Sequence, residues 1–497
     1  NYFVYEDDLP LLFDEFNKIK SGEITEHSLH YRWLDRQHNP VWVNCRGDVI
    51  LDEFNKPLYL IGCVNEIGKR QKADNISGLL REPSLEEYVS SKSKNNITGY
   101  FMQIGIDDFD EINGRFGLKC GDEILKQFSM CMQSCINENQ KIYELGNGRF
   151  IIMDLANHSK EDILELYDEL KKSVEVALEE NVYRVVYTIS VGIVEIDKEM
   201  KDYDTLIKYS DFALNEAKKK GKNSCYFFTQ DKYKQFIRRR EIRVELQNAV
   251  DHNFKNFDVY YQPIIDIHTR NLIGAEALMR FKMKRNEQIE FISPAEFIPI
   301  LEESGLIIPA GRWILRQAVA CCKKWQEFIP EFKVNVNLSY VQIIKSKILD
   351  EIKQALKDFN LKPALLGIEV TESGYLENTY HYKKLWSSLK EEGITLILDD
   401  YGTGYSNAYR LSDLTPHYIK IDRVLTQKAL SSNYERSILI YIIEMAHSLK
   451  LNVCIEGVET EEELQEIKKL NPDYIQGYLF GKPTPEDEFY NRQIKKK

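Results

Sequence analysis

LIGAEALMRF, residues 272–281, is an apolar run of strand character interrupted by one carboxylate, Glu276. A carboxylate there is costly to bury unless it meets a cation or a base. The pattern recurs downstream. KVNVNLS (333–339) carries Asn337, LGIEVTE (366–372) carries Glu369, and ITLILDD (394–400) ends on Asp399 and Asp400. HYIKID (417–422) carries Lys420, and NVCIEGVE (452–459) carries Glu456. With DVYYQPIIDI (258–267) and YIQGYLF (474–480) these make about eight strand-like segments. Helical runs lie between them, such as GRWILRQAVACCKKW (311–325) and ERSILIYIIEMAHSLK (435–450), where Ile438, Tyr441, Ile442 and Met445 form one stripe. Strands alternating with helices, in the number that closes a barrel, predict an α/β fold with a TIM-like (β/α)8 domain whose chemistry gathers at the strands' C-terminal ends.

Carboxylates converging on one barrel mouth repel each other, and divalent ions are the ordinary remedy. Any one acid, Asp399 for example, could simply cap the next helix, but acids from several strands together lack that explanation. Oxygen ligands joined by an amide such as Asn337 favour hard ions, so Mg²⁺ or Mn²⁺ is expected. The formal charge of −12 argues against binding a nucleic-acid polymer, which needs a basic face. A small nucleotide held through cations remains compatible with it.

The 497 residues, 43% of them hydrophobic, leave room for about three domains. Nine cysteines, an odd number without zinc-ligand spacing, read as reduced thiols. No apolar run approaches the roughly 18 residues of a membrane span, and no signal core opens the chain. A cytoplasmic location is expected, with a membrane or sensor segment upstream left open.

Residues 1–70 alternate as antiparallel strands do, in SLHYRWLD from Ser28 and PVWVNCRGDVILDEFNKPLYLIGCVNEI from Pro40. Trp33 and Trp42 are read as core residues rather than cofactor contacts. After the polar GKRQKADNISG, residues 71–229 mix strands and helices around a hairpin, KIYELGNGRFIIMDL (141–155), which predicts an α+β sandwich. Residues 230–256 are expected to form a connecting helix with Phe236, Ile242, Leu246 and Val250 on one side, and residues 257–497 to form the barrel domain.

At this point a resemblance becomes specific. YQPI at Tyr261, EALMR at Glu276, VNLS at Val336, EVTES at Glu369, DDYGTGYS at Asp399, KID at Lys420, EGVET at Glu456 and QGY at Gln476 stand in the order of an EAL-type cyclic di-GMP phosphodiesterase domain. Tyr401 and Phe281 depart from the usual phenylalanine and tryptophan without removing a ligand. The resemblance implies that Glu276, Asn337, Glu369 and Asp399 hold one divalent cation, and that Asp399, Asp400 and Glu456 hold a second. It implies catalytic parts for Lys420 and Glu456, with Lys420 orienting or deprotonating the attacking water at a lowered pKa, and for Glu372, steadying the loop that presents Asp399 and Asp400. Gln262, Arg280 and Gln476 would contact the substrate and Leu278 would line its cleft. The implied reaction is hydrolysis of cyclic di-GMP to linear pGpG by a homodimer formed through this domain.

Residues from about 74 to 228 resemble a GGDEF diguanylate cyclase domain through DDFDEING at Asp107, GLKCGDEIL at Gly117, SVGI at Ser190 and AKKKGKN at Ala217. The departures fall on its chemistry. The signature reads GNGRF, with Gly148 and Arg149 at its two acidic positions, and Gly105 replaces the first metal-binding aspartate. Asn137 and Gln140 occupy the family's inhibitory R-x-x-D positions. The resemblance thus implies an inactive cyclase domain in a regulatory role. Asn113, Asp122, Lys218 and Lys222 match positions that contact guanine or phosphate, so GTP is a candidate regulatory ligand, and a scaffold role is the alternative. Residues 1–70 resemble the second half of a PAS sensor domain, through Trp42 and the Gly62–Ile67 pattern. For the whole chain, the rival to a phosphodiesterase is a receptor that binds cyclic di-GMP without cutting it.

Overall fold

The computed structural model describes residues 3–34, 40–52, 56–66, 74, 76–92, 98–156, 158–179, 185–197, 202–285, 287–371, 379–402 and 415–495. The chain divides into two compact units, Asn1–Gln235 and Phe236–Lys497.

In the second unit eight strands close a barrel: β1 (Phe257–Asp266), β2 (Leu272–Arg285), β3 (Lys333–Asn337), β4 (Leu366–Thr371), β5 (Thr395–Tyr401), β6 (Tyr418–Ile421), β7 (Asn452–Glu456) and β8 (Tyr474–Gln476). The ring runs β2 to β8 in order, and β1 pairs with both β8 and β2 to complete it. Strands β2 to β8 are parallel, whereas β1 is antiparallel to both neighbours. One strand therefore departs from a uniform (β/α)8 repeat. The five residues 267–271 between β1 and β2 are too few for the helical crossover that a parallel pair needs, so the pair folds as a hairpin.

Two layers fill the barrel. Ile264, Ile397, Tyr418 and Cys454, joined by Ile273 and Tyr474, make a small apolar cluster drawn wholly from strands. Asp399, Lys420, Glu456 and Gln476 lie two residues further along β5 to β8, on the same strand face. A charged layer therefore sits on an apolar floor. Outside, the strands pack against helices such as Ile307–Trp325, whose buried Ala310, Ile314, Leu315, Ala318 and Val319 follow helical spacing.

In the first unit the central strand Gly99–Ile106 lies between Arg149–Asp154 and Ile189–Ile196, antiparallel to both. Lys141–Gly146 forms the expected hairpin with Arg149–Asp154. One apolar cluster joins the sheet to Leu118–Cys135 and Lys160–Glu179. The other joins it to Glu82–Lys92 and Tyr203–Lys219, which makes a sandwich.

Nearer the N-terminus, strands Glu26–Leu34, Pro40–Leu51 and Pro57–Glu66 form an antiparallel sheet. A helix, Leu9–Ser21, accompanies it and was not anticipated from the alternating runs; Leu12, Tyr31 and Val43 form the core, with Trp33 packed against them. The side chain of Trp42 lies outside the described part. Helix Gln230–Asp251 buries Ile242, Leu246 and Ala249, leaving Val250 half-buried and Phe236 exposed. All nine cysteines are unpaired. No described helix is long and apolar enough to cross a membrane.

Candidate active site

Lys420 is 1% exposed, and its ammonium sits among four carboxylates. Its Nζ lies 2.7 Å from Glu456 Oε1, 2.9 Å from Glu276 Oε2, 3.1 Å from Glu369 Oε2 and 3.5 Å from Asp399 Oδ1. Carboxylate oxygens of Glu276, Glu369 and Asp399 approach within 4.8 Å of one another, and so do those of Asp399, Asp400 and Glu456. Asp399 is common to both groups.

Local backbone geometry makes the second group possible. Consecutive residues of a regular strand point to opposite faces. Here the pairing of β5 with β6 shifts register between Leu398 and Tyr401, and Asp400 adopts φ 55°. Its N–H donates to Asp399 Oδ1 at 2.9 Å. The irregularity brings both carboxylates to one mouth, as bulges beside active sites do, and strains a non-glycine residue at the site.

Charge balance decides protonation. Burial drives Glu276 upward, but Lys420, Gln476 and Asn337 outweigh it and hold the carboxyl below its ordinary range. Burial and the neighbouring Glu276 push Glu369 well up. Burial also raises Asp399, raises Asp400 to about 6 with the help of Asp399, and raises Glu456 to about 8 despite Lys420. Burial disfavours the Lys420 ammonium, yet the surrounding acids hold it charged, well above the ordinary lysine value. With all five carboxylates ionised, as cation binding requires, they and the one ammonium carry a formal charge of −4, which two divalent cations would cancel. The donor set, all oxygen, fits hard cations.

Asn337 Nδ2 donates to Glu276 Oε1 at 2.7 Å. Gln476 Nε2 donates to Glu276 Oε2 at 2.7 Å and to Gln262 Oε1 at 3.1 Å, so Gln476 and Gln262 brace the acid layer from β8 and β1. Leu278 borders two cavities. The larger, about 710 Å³, is also lined by Arg280, Ile298, Tyr340 and Asp400. The smaller, about 270 Å³, holds Gln262, Asp399, Lys420, Glu456, Gln476 and Tyr478. The acids thus lie between two spaces. Arg280 Nη1 donates to Met279 O at 2.9 Å, and its guanidinium carbon stands 5.5 Å from the Tyr260 ring centre. Glu372 lies outside the described residues.

Two further participants escaped the sequence reading. Asn335 Nδ2 donates to Glu369 Oε1 at 2.8 Å and to Tyr418 Oη at 2.5 Å. Their only trace in the sequence is position, since each stands two residues before a recognised site residue, Asn337 or Lys420. Asp422 of the KID motif accepts from Val424 N at 2.7 Å and caps helix Arg423–Ser431.

In the first unit, both oxygens of Asp107 are engaged: Ser190 Oγ donates to one at 2.8 Å, Thr188 Oγ1 to the other at 2.7 Å, and Asn223 N to the latter at 3.2 Å. A Cβ on Gly105 would stand 3.2 Å from Lys218 Nζ. Gly148 has φ 68°, and a Cβ there would meet Phe109 Cγ at 2.8 Å. Arg149 Nη1 faces Asp211 at 3.5 Å. Among the described residues the buried Oδ1 of Asn113 has no hydrogen-bond partner, Asp122 is exposed, and Lys222 Nζ donates to Asp108 at 2.7 and 2.8 Å.

Comparison with known families matches this architecture. Residues 243–483 match the EAL domain and residues 72–224 the diguanylate cyclase GGDEF domain, so both domains are present in this chain. Among individual relatives, the signaling protein YkoW of Bacillus subtilis is 31% identical over 399 residues, 79% of this chain and 48% of that protein. The cyclic di-GMP phosphodiesterase PdeR of Escherichia coli is 27% identical over 465 residues, 92% of this chain and 68% of that protein. A solved structure, the PaMucR phosphodiesterase in complex with c-di-GMP, is 29% identical, covers 50% of this chain and 99% of that one, and has a TM-score of 0.47. The chain spans about half the length of several curated relatives it matches.

Proposed function

We propose that this chain is a metal-dependent phosphodiesterase that hydrolyses cyclic di-GMP to pGpG. The observation that carries this is the pair of carboxylate groups sharing Asp399 around one buried ammonium, whose residual charge matches two divalent cations. Glu276, Asn337, Glu369 and Asp399 would hold one Mg²⁺ or Mn²⁺, and Asp399, Asp400 and Glu456 the other. Bound there, the ions would lower the pKa of water and offset charge on the phosphate.

The chain's own residues do the rest. The cavities of about 710 and 270 Å³ flanking the acids take the two halves of an elongated dinucleotide. Arg280, on the rim of the larger, holds a phosphate oxygen, and Leu278 packs between the halves. Gln262 and Gln476 keep Glu276 in place and border the scissile phosphate. The Lys420 ammonium orients water, and Glu456, 2.7 Å from it, carries off the proton. Attack forms a bond from phosphorus to the water oxygen and breaks the bond to the ribose 3′ oxygen, which takes up a proton, leaving the 5′-phosphate of pGpG. Glu372 is assigned to steadying the loop beyond Asp400 on the family resemblance alone.

The proposal includes a GGDEF domain without cyclase activity. Its support is Gly105, Gly148 and Arg149 at metal-binding positions and the engagement of Asp107 by Ser190 and Thr188. This domain acts as a scaffold or takes GTP near Asn113, Asp122, Lys218 and Lys222. The buried, unpartnered Asn113 Oδ1 favours a ligand, while the Lys222–Asp108 pair competes with one. Homodimerisation through the barrel is consistent with exposed Val424, Tyr434 and Tyr441 on the helices after β6.

Incubating purified protein with cyclic di-GMP and Mg²⁺ or Mn²⁺ is expected to yield pGpG by chromatography, with chelation or Glu276→Ala abolishing it. Tight binding of uncut cyclic di-GMP under the same conditions would establish the receptor reading instead.

A further inference from the structure

We infer that Asn335, seated by Tyr418, is a positioning residue that leaves only one oxygen of Glu369 to face a cation; this rests on the metal-dependent reading above. Asn335 is 2% exposed and Tyr418 8%, one layer below the acids. A carboxylate that binds a cation is ionised and only accepts, so the amide presents Nδ2 rather than Oδ1 to Glu369. The two hydrogens of Nδ2 then reach Glu369 Oε1 at 2.8 Å and Tyr418 Oη at 2.5 Å. Glu369 Oε2 is left toward Lys420, at 3.1 Å, on the side where the other acids converge. The carboxylate cannot swing to present both oxygens without abandoning a buried N–H.

The opposing strand is shaped for this amide. Asn335 pairs with Gly367 across β3 and β4. A Cβ on Gly367 would lie 2.2 Å from Asn335 Oδ1 and 2.7 Å from Ile397 Cδ1, so even alanine would displace the amide. Neither Asn335 nor Tyr418 lines the two cavities flanking the acids. Their influence must pass through Glu369 and the cation it holds, and groups in that position typically change metal affinity or activity by about 10–100-fold.

The test is Mn²⁺ titration of the metal-free full chain by calorimetry, for the parent, Asn335→Leu and Tyr418→Phe, with melting curves alongside. Asn335→Leu keeps side-chain size and removes the donor; about 10–100-fold weaker Mn²⁺ binding is expected. Tyr418→Phe should weaken it less but by more than about threefold, with kcat reduced and KM for cyclic di-GMP unchanged. Mn²⁺ affinities of folded variants within twofold of the parent would overturn the inference. If Asn335→Leu does not fold, Tyr418→Phe alone decides by the same criterion. A parent that binds no Mn²⁺ would instead overturn the metal reading itself, and this inference with it.

Discussion

Replacing Lys420 by methionine removes the cation around which the acid layer is built. The ammonium contacts Glu276, Glu369 and Glu456 at 2.7 to 3.1 Å and Asp399 at 3.5 Å, all at buried positions or nearly so. Removing one partner from a buried ion pair costs about 3–5 kcal/mol because the other charge is stranded. Each kcal/mol lowers Tm by about 2–4 °C in a unit of this size, so a fall of roughly 10 °C is expected after chelation. Protonation limits the loss. Asp400 and Glu456 have folded pKa values raised to about 6 and about 8. A raised carboxyl contributes stability that is complete below its unfolded pKa, near 4, and is lost as pH rises through the folded value. The Lys420→Met defect should therefore be larger near pH 8 than near pH 6, and Mn²⁺ should recover more Tm in the variant than in the parent. Scanning calorimetry with EDTA, with and without excess Mn²⁺, reads both effects. A metal-free variant melting within about 2 °C of the parent at pH 8 would refute the view that Lys420 neutralises the acid layer.

The same protonation predicts that apparent Mn²⁺ affinity rises between about pH 6 and pH 8, because cations must displace protons from Glu456 and Asp400. Calorimetry in buffers of differing ionisation enthalpy would show proton release, and a pH-independent affinity would contradict it. In the other unit, Gly148→Asp with Arg149→Glu restores the acidic letters of the cyclase signature, but position 148 has φ 68° and faces Phe109. The double variant should lose about 1–3 kcal/mol and form no cyclic di-GMP from GTP; cyclase activity would show that the chemistry lacked only those two carboxylates.

Much of the molecule was legible before folding was considered. Short, nearly continuous apolar runs with one polar residue near the end marked the barrel strands, since such a pattern suits a strand buried on both faces whose tip carries chemistry. The acids, Asn337 and Lys420 stood out because unpaired charge in apolar company has few structural explanations. The hairpin at Gly146–Gly148 and its missing carboxylates were equally visible. Helix Leu9–Ser21 was overlooked beside the strand alternation that follows it, and Asn335 and Tyr418 carry no sequence signal of their own because their importance lies in what they touch.

Composition and order alone determined that oxygen donors, an amide and a lysine would arrive on successive strands of a closed sheet, since these are properties of local pattern. Only tertiary structure decided how they meet. The reversal of β1 places Gln262 opposite Glu276, and the register shift after Leu398 turns Asp399 and Asp400 to one side. The burial of Lys420 among four acids sets which of them hold protons. Each of these depends on distances between residues far apart in the chain, and electrostatic energy at a few ångströms in a poorly polarisable interior changes steeply with separation.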